Sequence, residues 1–144
     1  MNILVPVVAL IAWTMLIMVW LYVVRIPAMQ KAGIDLKNLT GSKPGQLDAI
    51  LDPKAQWPAH NYMHLVEQPT LFYAVVFVLV LLHAGGGWNP ALAWAYVGLR
   101  IVHSIVQVTV NRIRYRFLLF SLSSLVLIAL TIQAVRSVFA AGLI

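Results

Sequence analysis

The chain has 144 residues, enough for one domain, and 62% of them are hydrophobic while only 10% are charged. Soluble domains run closer to about 45–50% apolar and about 25% charged residues. A chain this short therefore carries more apolar surface than it can bury in its own core, which excludes an ordinary soluble domain and predicts that the surplus faces lipid. The absence of cysteine excludes disulfides, thiolate metal sites and a cysteine nucleophile.

The formal net charge is +6 at neutral pH. In a soluble protein such an excess indicates nucleic acid as a partner. In a chain this apolar, we interpret it as the signal that orients the protein in its membrane, and we expect no nucleic-acid partner.

The first predicted helix covers residues 3–24, which carry no charge and span 22 residues, against the ~20 needed to cross a bilayer. It lacks the basic start and the small-residue cleavage site of a signal peptide, so we expect it to be retained. Residues 25–60 are polar and contain several prolines and glycines, which predicts a long loop.

Three more apolar segments follow, at about residues 61–84, 90–110 and 117–135. A glycine-rich reversal separates the second from the third, and a short basic turn at 111–116 separates the third from the fourth. The sequence thus predicts an all-α fold, an integral membrane four-helix bundle forming a single domain over residues 1–144.

The basic residues predict the orientation of the bundle. The first loop holds five of the ten lysines and arginines, the third holds three, and the second loop and the N-terminus hold none. With four spans, the first and third loops share one side of the membrane. That side is expected to be cytoplasmic, with both termini outside.

Two charged residues, Glu67 and Arg100, fall inside predicted spans. A charge at the centre of a membrane helix costs roughly 2.5–3.5 kcal/mol on insertion scales, so each needs a partner or water. Both lie towards the basic face, at depths that differ by roughly 7 Å at ~1.5 Å per residue. We therefore hypothesise a Glu67–Arg100 ion pair, within one chain or between chains.

Helical spacing places further polar residues in line with this pair. At ~100° per residue, the second helix carries a stripe of three within about 60°, and the third a stripe of five within about 80°. The first stripe is His60, His64 and Glu67, and the second is Arg100, His103, Gln107, Asn111 and Arg114.

These stripes cannot face lipid without leaving hydrogen-bonding groups unmet. We favour an anion-binding cavity that opens toward the basic face. Polar contacts that only join helices, or a proton or ion relay, are the alternatives. His60 and His64 have the i, i+4 spacing of metal ligands, but the chain has no HExxH pattern and no obvious third ligand apart from Glu67, so no metal site is predicted.

Two motifs resemble the MAPEG family, the membrane-associated proteins in eicosanoid and glutathione metabolism. Residues 61–73, NYMHLVEQPTLFY, are similar to its second-helix signature. The run RIVHS at residues 100–104, followed by Asn111 and Arg116, resembles a bacterial branch of the family. The resemblance covers nearly the whole chain and implies a homotrimer in a bacterial inner membrane.

The resemblance also implies active sites between subunits that open to the cytoplasm and bind glutathione, with an arginine stabilising its thiolate. By motif position, Glu67 would meet the glutathione amino group and Arg114 would be catalytic, with Arg116 or Arg25 as reserves. His103 falls where many members carry a tyrosine or histidine. The expected glutathione-binding residues are His60, His64, Glu67, Gln68, Arg100, His103, Gln107, Asn111 and Arg116.

The chain departs from the family pattern at four of these positions. His60 replaces an arginine, His64 an asparagine, and Gln68 and Gln107 replace tyrosines found in some members. We expect either a glutathione-dependent transferase or peroxidase, which takes lipophilic electrophiles from the bilayer, or a noncatalytic or differently liganded member that binds a lipid or an anionic metabolite. A small transporter is a third hypothesis, which the uncharged first helix disfavours.

Overall fold

A computed structural model of the chain describes residues 2–35, 37–38 and 45–143. Over these ranges it contains helices and no strand, which confirms the all-α prediction. The helices are α1 (Leu4–Lys31), α2 (Pro53–Val66), α3 (Gln68–Leu81), α4 (Asn89–Thr109) and α5 (Ile113–Ala140), and a 3-10 turn at Gln46–Ala49 precedes α2.

Four membrane spans follow from these elements, because α2 and α3 together form one segment, Pro53–Leu81. The most apolar window of each span is only 22–39% buried within the protein. Large side chains such as Leu16, Phe77 and Leu125 are more than half exposed. Apolar surface on this scale needs lipid rather than water around it, so the prediction of an integral membrane four-helix bundle is confirmed.

Three of the four spans are longer than the apolar segments that predicted them. The first continues to Lys31 instead of ending near residue 24, and the last covers Ile113–Ala140 instead of 117–135. Pro27 lies inside α1 without ending it. Apolar runs predict only the lipid-facing part of a helix, whereas its polar ends continue at the membrane surface.

The second span begins at Pro53, inside the predicted loop 25–60, which is therefore shorter than expected. Its start has the features of a helix N-terminus. The Asp52 carboxylate accepts a hydrogen bond from the Lys54 N–H at 2.8 Å, and Pro53 occupies the first helical position, where its missing N–H costs nothing.

This span breaks at Glu67, between α2 and α3. The backbone there leaves the helical region, with φ −84° and ψ −93°. Pro69, two residues later, has no N–H to offer the carbonyl one turn earlier, which is a common cause of a kink. Thr70, in the first turn of α3, donates a hydrogen bond from its hydroxyl to the Glu67 carbonyl at 2.6 Å.

The apolar core joins all four spans. Phe72 on α3 stacks on Tyr96 of α4, with ring centroids 4.5 Å apart, and Leu10 of α1 and Leu130 of α5 are fully buried. The helix contacts run between α1 and α2, α1 and α4, α3 and α5, and α4 and α5. The packing brings α2, α4 and the start of α5 together at one end of the bundle.

A buried polar cluster ties α2 to α4. The Asn61 amide donates to the Gln107 side chain at 2.9 Å, and its carbonyl oxygen accepts from the Ser104 hydroxyl. All three side chains are 1% exposed or less. If α2 and α4 slid past each other, these polar atoms would lose their partners while buried away from water. Because unpaired buried polar atoms are costly, the cluster specifies the register of the two helices.

We expect Asn61→Ala to lower the free energy of unfolding by about 1–2 kcal/mol, because it leaves Gln107 and Ser104 without their buried partner. Detergent denaturation of purified protein, followed by circular dichroism, measures the change. Gln30→Ala, which removes an exposed amide from the end of α1, is the matched control. Equal stability of the two variants would contradict the role given to the cluster.

Candidate functional site

A recess of about 360 Å³ lies where α2, α4 and α5 meet. It is close to the turn that joins α4 to α5, at the end of the bundle that holds the first and third loops. Two histidines, one arginine and three apolar side chains line it: His64, His103, Ile113, Arg116, Phe117 and Phe120.

Arg116 is held at the mouth of the recess by the preceding turn. Its Nη1 donates to the Asn111 side-chain oxygen at 2.7 Å. Asn111 ends α4 in the left-handed conformation, φ 49°, which asparagine tolerates better than most residues. Its N–H donates to the Val106 carbonyl at 2.7 Å, which closes the helix end. One residue therefore terminates α4 and orients the arginine.

His64 lies between a carboxylate and a guanidinium. Its Nδ1 is 3.3 Å from Oε2 of Glu67, and its Nε2 is 3.4 Å from Nη2 of Arg116. The side chain is 37% exposed, and that of Glu67 is 60% exposed. The ring of His103 meets that of His64 edge-on, with centroids 6.1 Å apart. The polar wall of the recess is thus a continuous line of titratable and charged groups.

Arg100 lies behind this wall and is 1% exposed. Its Nη2 donates to the His64 carbonyl at 2.6 Å, at the end of α2 where carbonyls lack helical partners. Its guanidinium carbon is 5.5 Å from the centre of the Phe120 ring. A cation at the C-terminal end of α2 is favourable because the helix dipole is negative there.

Several buried donors near the recess have no acceptor among the described residues. They are Nε and Nη1 of Arg100 and Nε of Arg116. Buried donors of this kind are costly unless something accepts from them. Carboxylate oxygens are strong acceptors for guanidinium N–H groups of this kind.

The structure corrects the hypothesis of an ion pair within the chain. Among the described residues, Arg100 does not pair with Glu67; it bonds the His64 carbonyl, and Glu67 approaches the His64 ring instead. The break at Glu67 is the physical reason. It turns the carboxylate out toward the surface and exposes a backbone acceptor that the arginine reaches.

The predicted stripes are divided between two environments. His64 and His103 line the recess, and Asn111 orients Arg116 there. Gln107 belongs to the buried cluster with Asn61. Gln68 lies on α3, where its amide donates to Ser124 at 2.8 Å and its oxygen accepts from the Tyr96 hydroxyl at 3.3 Å.

Three of the ten predicted site residues line the recess, and His60 and Arg114 are among those that do not. His60 is half-buried, one turn before His64 on α2. Arg114, expected on the third helix and in the catalytic role, lies in the first turn of α5 with an exposed side chain. The turn at residues 110–112 ends the helical phase that the sequence argument extended through Arg114. Arg116, the reserve, faces the recess instead.

The apolar side chains that line the recess were not predicted from the sequence. They are Ile113, Phe117 and Phe120, and none was singled out. A signal was present: with Arg116 they fall at positions i, i+3, i+4 and i+7 of one helix, which places them on one face. Apolar residues in an apolar span do not stand out until the structure shows which face is enclosed.

Within the described ranges, no group of three or more histidine, aspartate and glutamate side chains is placed to hold a metal ion.

Comparison with known protein families gives a match to the MAPEG family over residues 3–136. The chain belongs to the MAPEG family. This match takes in all four spans and every residue of the recess. No curated protein and no solved structure matches the chain significantly. Membership in the family establishes a four-helix MAPEG-like membrane protein, and the chemistry has to be argued from the recess.

Proposed function

We propose that this MAPEG protein is a glutathione-dependent transferase or peroxidase that acts on lipophilic electrophiles. The observation that carries the proposal is Arg116, which Asn111 holds in a recess that also contains His64 and His103. Glutathione would supply the thiol that attacks the electrophile. A thiol attacks as its thiolate, and a fixed guanidinium favours that charged form.

Arg116 takes the role that the family resemblance first placed on Arg114. Its Nη1 is fixed by Asn111, while its Nε is buried without an acceptor among the described residues. A positioned charge stabilises an anion without further reorganisation, which is the usual source of electrostatic catalysis. The exposed Arg114 has no such constraint in the structure, and it suits the membrane surface.

The charges around the recess support a ligand with both acidic and basic groups. Arg100 and Arg116 bring donors for carboxylates, and Glu67 brings an acceptor for an amine at the N-terminal end of α3. Glutathione carries two carboxylates and one amine. His103 adds a further hydrogen-bonding group to the recess.

The apolar side of the recess supports a lipophilic second substrate. Phe117 is 72% exposed and Ile113 is 79% exposed, and both lie at the start of a membrane span. A molecule dissolved in the bilayer reaches these side chains without crossing water. The transferase or peroxidase would therefore join a water-borne thiol to a lipid-borne acceptor at the membrane surface.

The assembly and orientation belong to the same proposal. A homotrimer, which the family resemblance implies, would place a neighbouring subunit against the exposed Glu67 side chain. The first and third loops would face the cytoplasm of a bacterial cell, with both termini outside the inner membrane. The recess then opens to the compartment where glutathione is abundant.

A second candidate is a noncatalytic or differently liganded protein that binds a lipid or an anionic metabolite. The side chains of Gln68 and Gln107 favour it, because both are engaged in hydrogen bonds within the protein. They are thereby less available to a ligand. Native mass spectrometry of the purified protein separates the candidates, since a retained lipid or metabolite other than glutathione supports the second.

We expect Arg116→Ala to lower the rate of glutathione conjugation to an aromatic chloronitro acceptor by about 10²-fold, as for loss of one positioned charge donor. Arg116→Lys keeps the charge but not the geometry and should lose less. Arg114→Ala tests the rival assignment in the same assay, with glutathione binding followed by calorimetry. A larger loss for Arg114→Ala would transfer the role to Arg114, and a wild-type protein that neither binds nor conjugates glutathione would refute the proposal.

The orientation has its own test, because the natural chain has no cysteine to interfere. We expect Gly86→Cys, in the loop between α3 and α4, to react with a membrane-impermeant maleimide added to intact cells. Lys37→Cys, in the first loop, should react only after the membrane is opened. The reverse pattern would contradict the proposed topology.

A further inference from the structure

The His64 ring bridges two groups of opposite charge on different elements. Its Nδ1 faces the Glu67 carboxylate at 3.3 Å, across the break between α2 and α3. Its Nε2 faces a guanidinium nitrogen of Arg116 at 3.4 Å, on α5. His64 and Arg116 both line the recess, and Glu67 does not.

The chemistry of the two partners decides where the neutral ring carries its proton. A carboxylate only accepts hydrogen bonds and a guanidinium only donates them. The arrangement that satisfies both places the proton on Nδ1, toward Glu67, and the lone pair on Nε2, toward Arg116 and the recess. A carboxylate that holds an imidazole in this tautomer is the arrangement found in base-activated nucleophilic sites.

We infer that His64 and Glu67 form an acid–base pair in which Nε2 of His64 removes the proton from a thiol bound in the recess. The inference rests on the proposed glutathione-dependent function and names a second catalytic group for it. Arg116 would stabilise the thiolate, and His64 would take up the proton. Glu67 is the positioning residue, because it acts only through His64.

The proton transfer balances within the site. The S–H bond of the thiol breaks, its electron pair stays on sulfur, and the proton binds Nε2. The products are a thiolate beside Arg116 and an imidazolium beside Glu67. Nδ1 keeps its proton, so the Glu67 carboxylate stays ionised and neutralises the new charge. The proton on Nε2 then passes to water at the mouth of the recess.

The contact between His64 and Arg116 is long enough for a thiol to displace it before the proton transfer. At 3.4 Å it is at the long end of hydrogen bonding, whereas the bond from Arg116 to Asn111 is 2.7 Å. A thiol that enters between the two side chains therefore displaces the weaker contact and leaves the stronger one. The arginine stays fixed while Nε2 becomes available.

Charged and titratable groups from α2, α4 and α5 lie near the pair. Arg100 and His103 approach from α4, Arg116 approaches from α5, and His60 lies one turn earlier on α2. Two nearby guanidinium groups oppose a third positive charge on His64. Glu67 supplies the negative charge that the imidazolium requires in this setting.

The experiment compares His64→Ala with wild type, in the purified oligomer with glutathione as the thiol. Three quantities are followed: glutathione affinity by calorimetry, the ultraviolet absorbance of bound thiolate, and the conjugation rate against pH. We expect His64→Ala to bind glutathione within a few-fold of wild type but to lose thiolate absorbance at neutral pH. The rate should fall about 10²–10⁴-fold and recover as pH rises or as free imidazole is added.

Two further variants complete the comparison. Glu67→Gln should shift the pH profile in the same direction as His64→Ala, because the imidazolium loses its counter-charge. His83→Asn removes a histidine from the far end of the same span, roughly 28 Å from His64 at ~1.5 Å per residue. His83 has φ 54°, a conformation that asparagine accepts, so this variant should match wild type.

The outcomes separate this inference from the function on which it rests. If wild type neither binds nor conjugates glutathione, the proposed function fails and the acid–base pair falls with it. If wild type conjugates glutathione, and His64→Ala keeps its thiolate absorbance and pH profile, only the acid–base pair fails. A rate that falls in His64→Ala without any recovery by imidazole or high pH assigns His64 a structural role and also overturns the inference.

Discussion

Arg100 donates a hydrogen bond to the His64 carbonyl inside a membrane-spanning bundle, and the polar half of the protein is organised around that contact. A guanidinium at this depth has no bulk water, so it requires an acceptor. The acceptor exists because the second span breaks at Glu67 and leaves the end of α2 with unpaired carbonyls. The same break turns Glu67 and His64 toward each other.

The recess follows from that organisation. Arg100 holds the end of α2 against α4, and the short turn at Asn111 brings the start of α5 alongside. Guanidinium groups then approach this space from α4 and α5, and three of their buried nitrogens lack acceptors among the described residues. Under the proposed function, these groups would bind an anion, and the phenylalanine side would admit a nonpolar partner from the bilayer.

Family membership and the side chains of the recess bear on different parts of the functional problem, the first on architecture and the second on chemistry. Membership in the MAPEG family establishes the architecture, whereas a fold by itself does not establish a reaction. Four positions of the glutathione-binding pattern have changed, and the structure divides them. Gln68 and Gln107 have become parts of the helix packing, while His64 stays in the recess with a partner on each ring nitrogen. Among these positions, only His64 lines the recess, whereas Gln68 and Gln107 take part in contacts between helices.

Much of the protein could be read from the chain because its determinants are local. Apolar runs of sufficient length require a membrane, and charges within them require partners, so the four spans and the enclosed position of Arg100 were predictable. Helical spacing also indicated correctly that Arg100, His103 and Gln107 share a buried face of α4.

Only the tertiary structure decided which of these groups meet. The kink at Glu67 and the turn at Asn111 each change the helical phase by amounts that residue spacing does not give. Because of the kink, Glu67 contacts the His64 ring and Arg100 bonds the His64 carbonyl, instead of the two pairing with each other. Because of the turn, the Arg114 side chain is exposed and the Arg116 side chain lines the recess. Sequence determined the helices and their polar content by itself, whereas the pairing of side chains depends on backbone directions set by packing between helices that are distant in the chain.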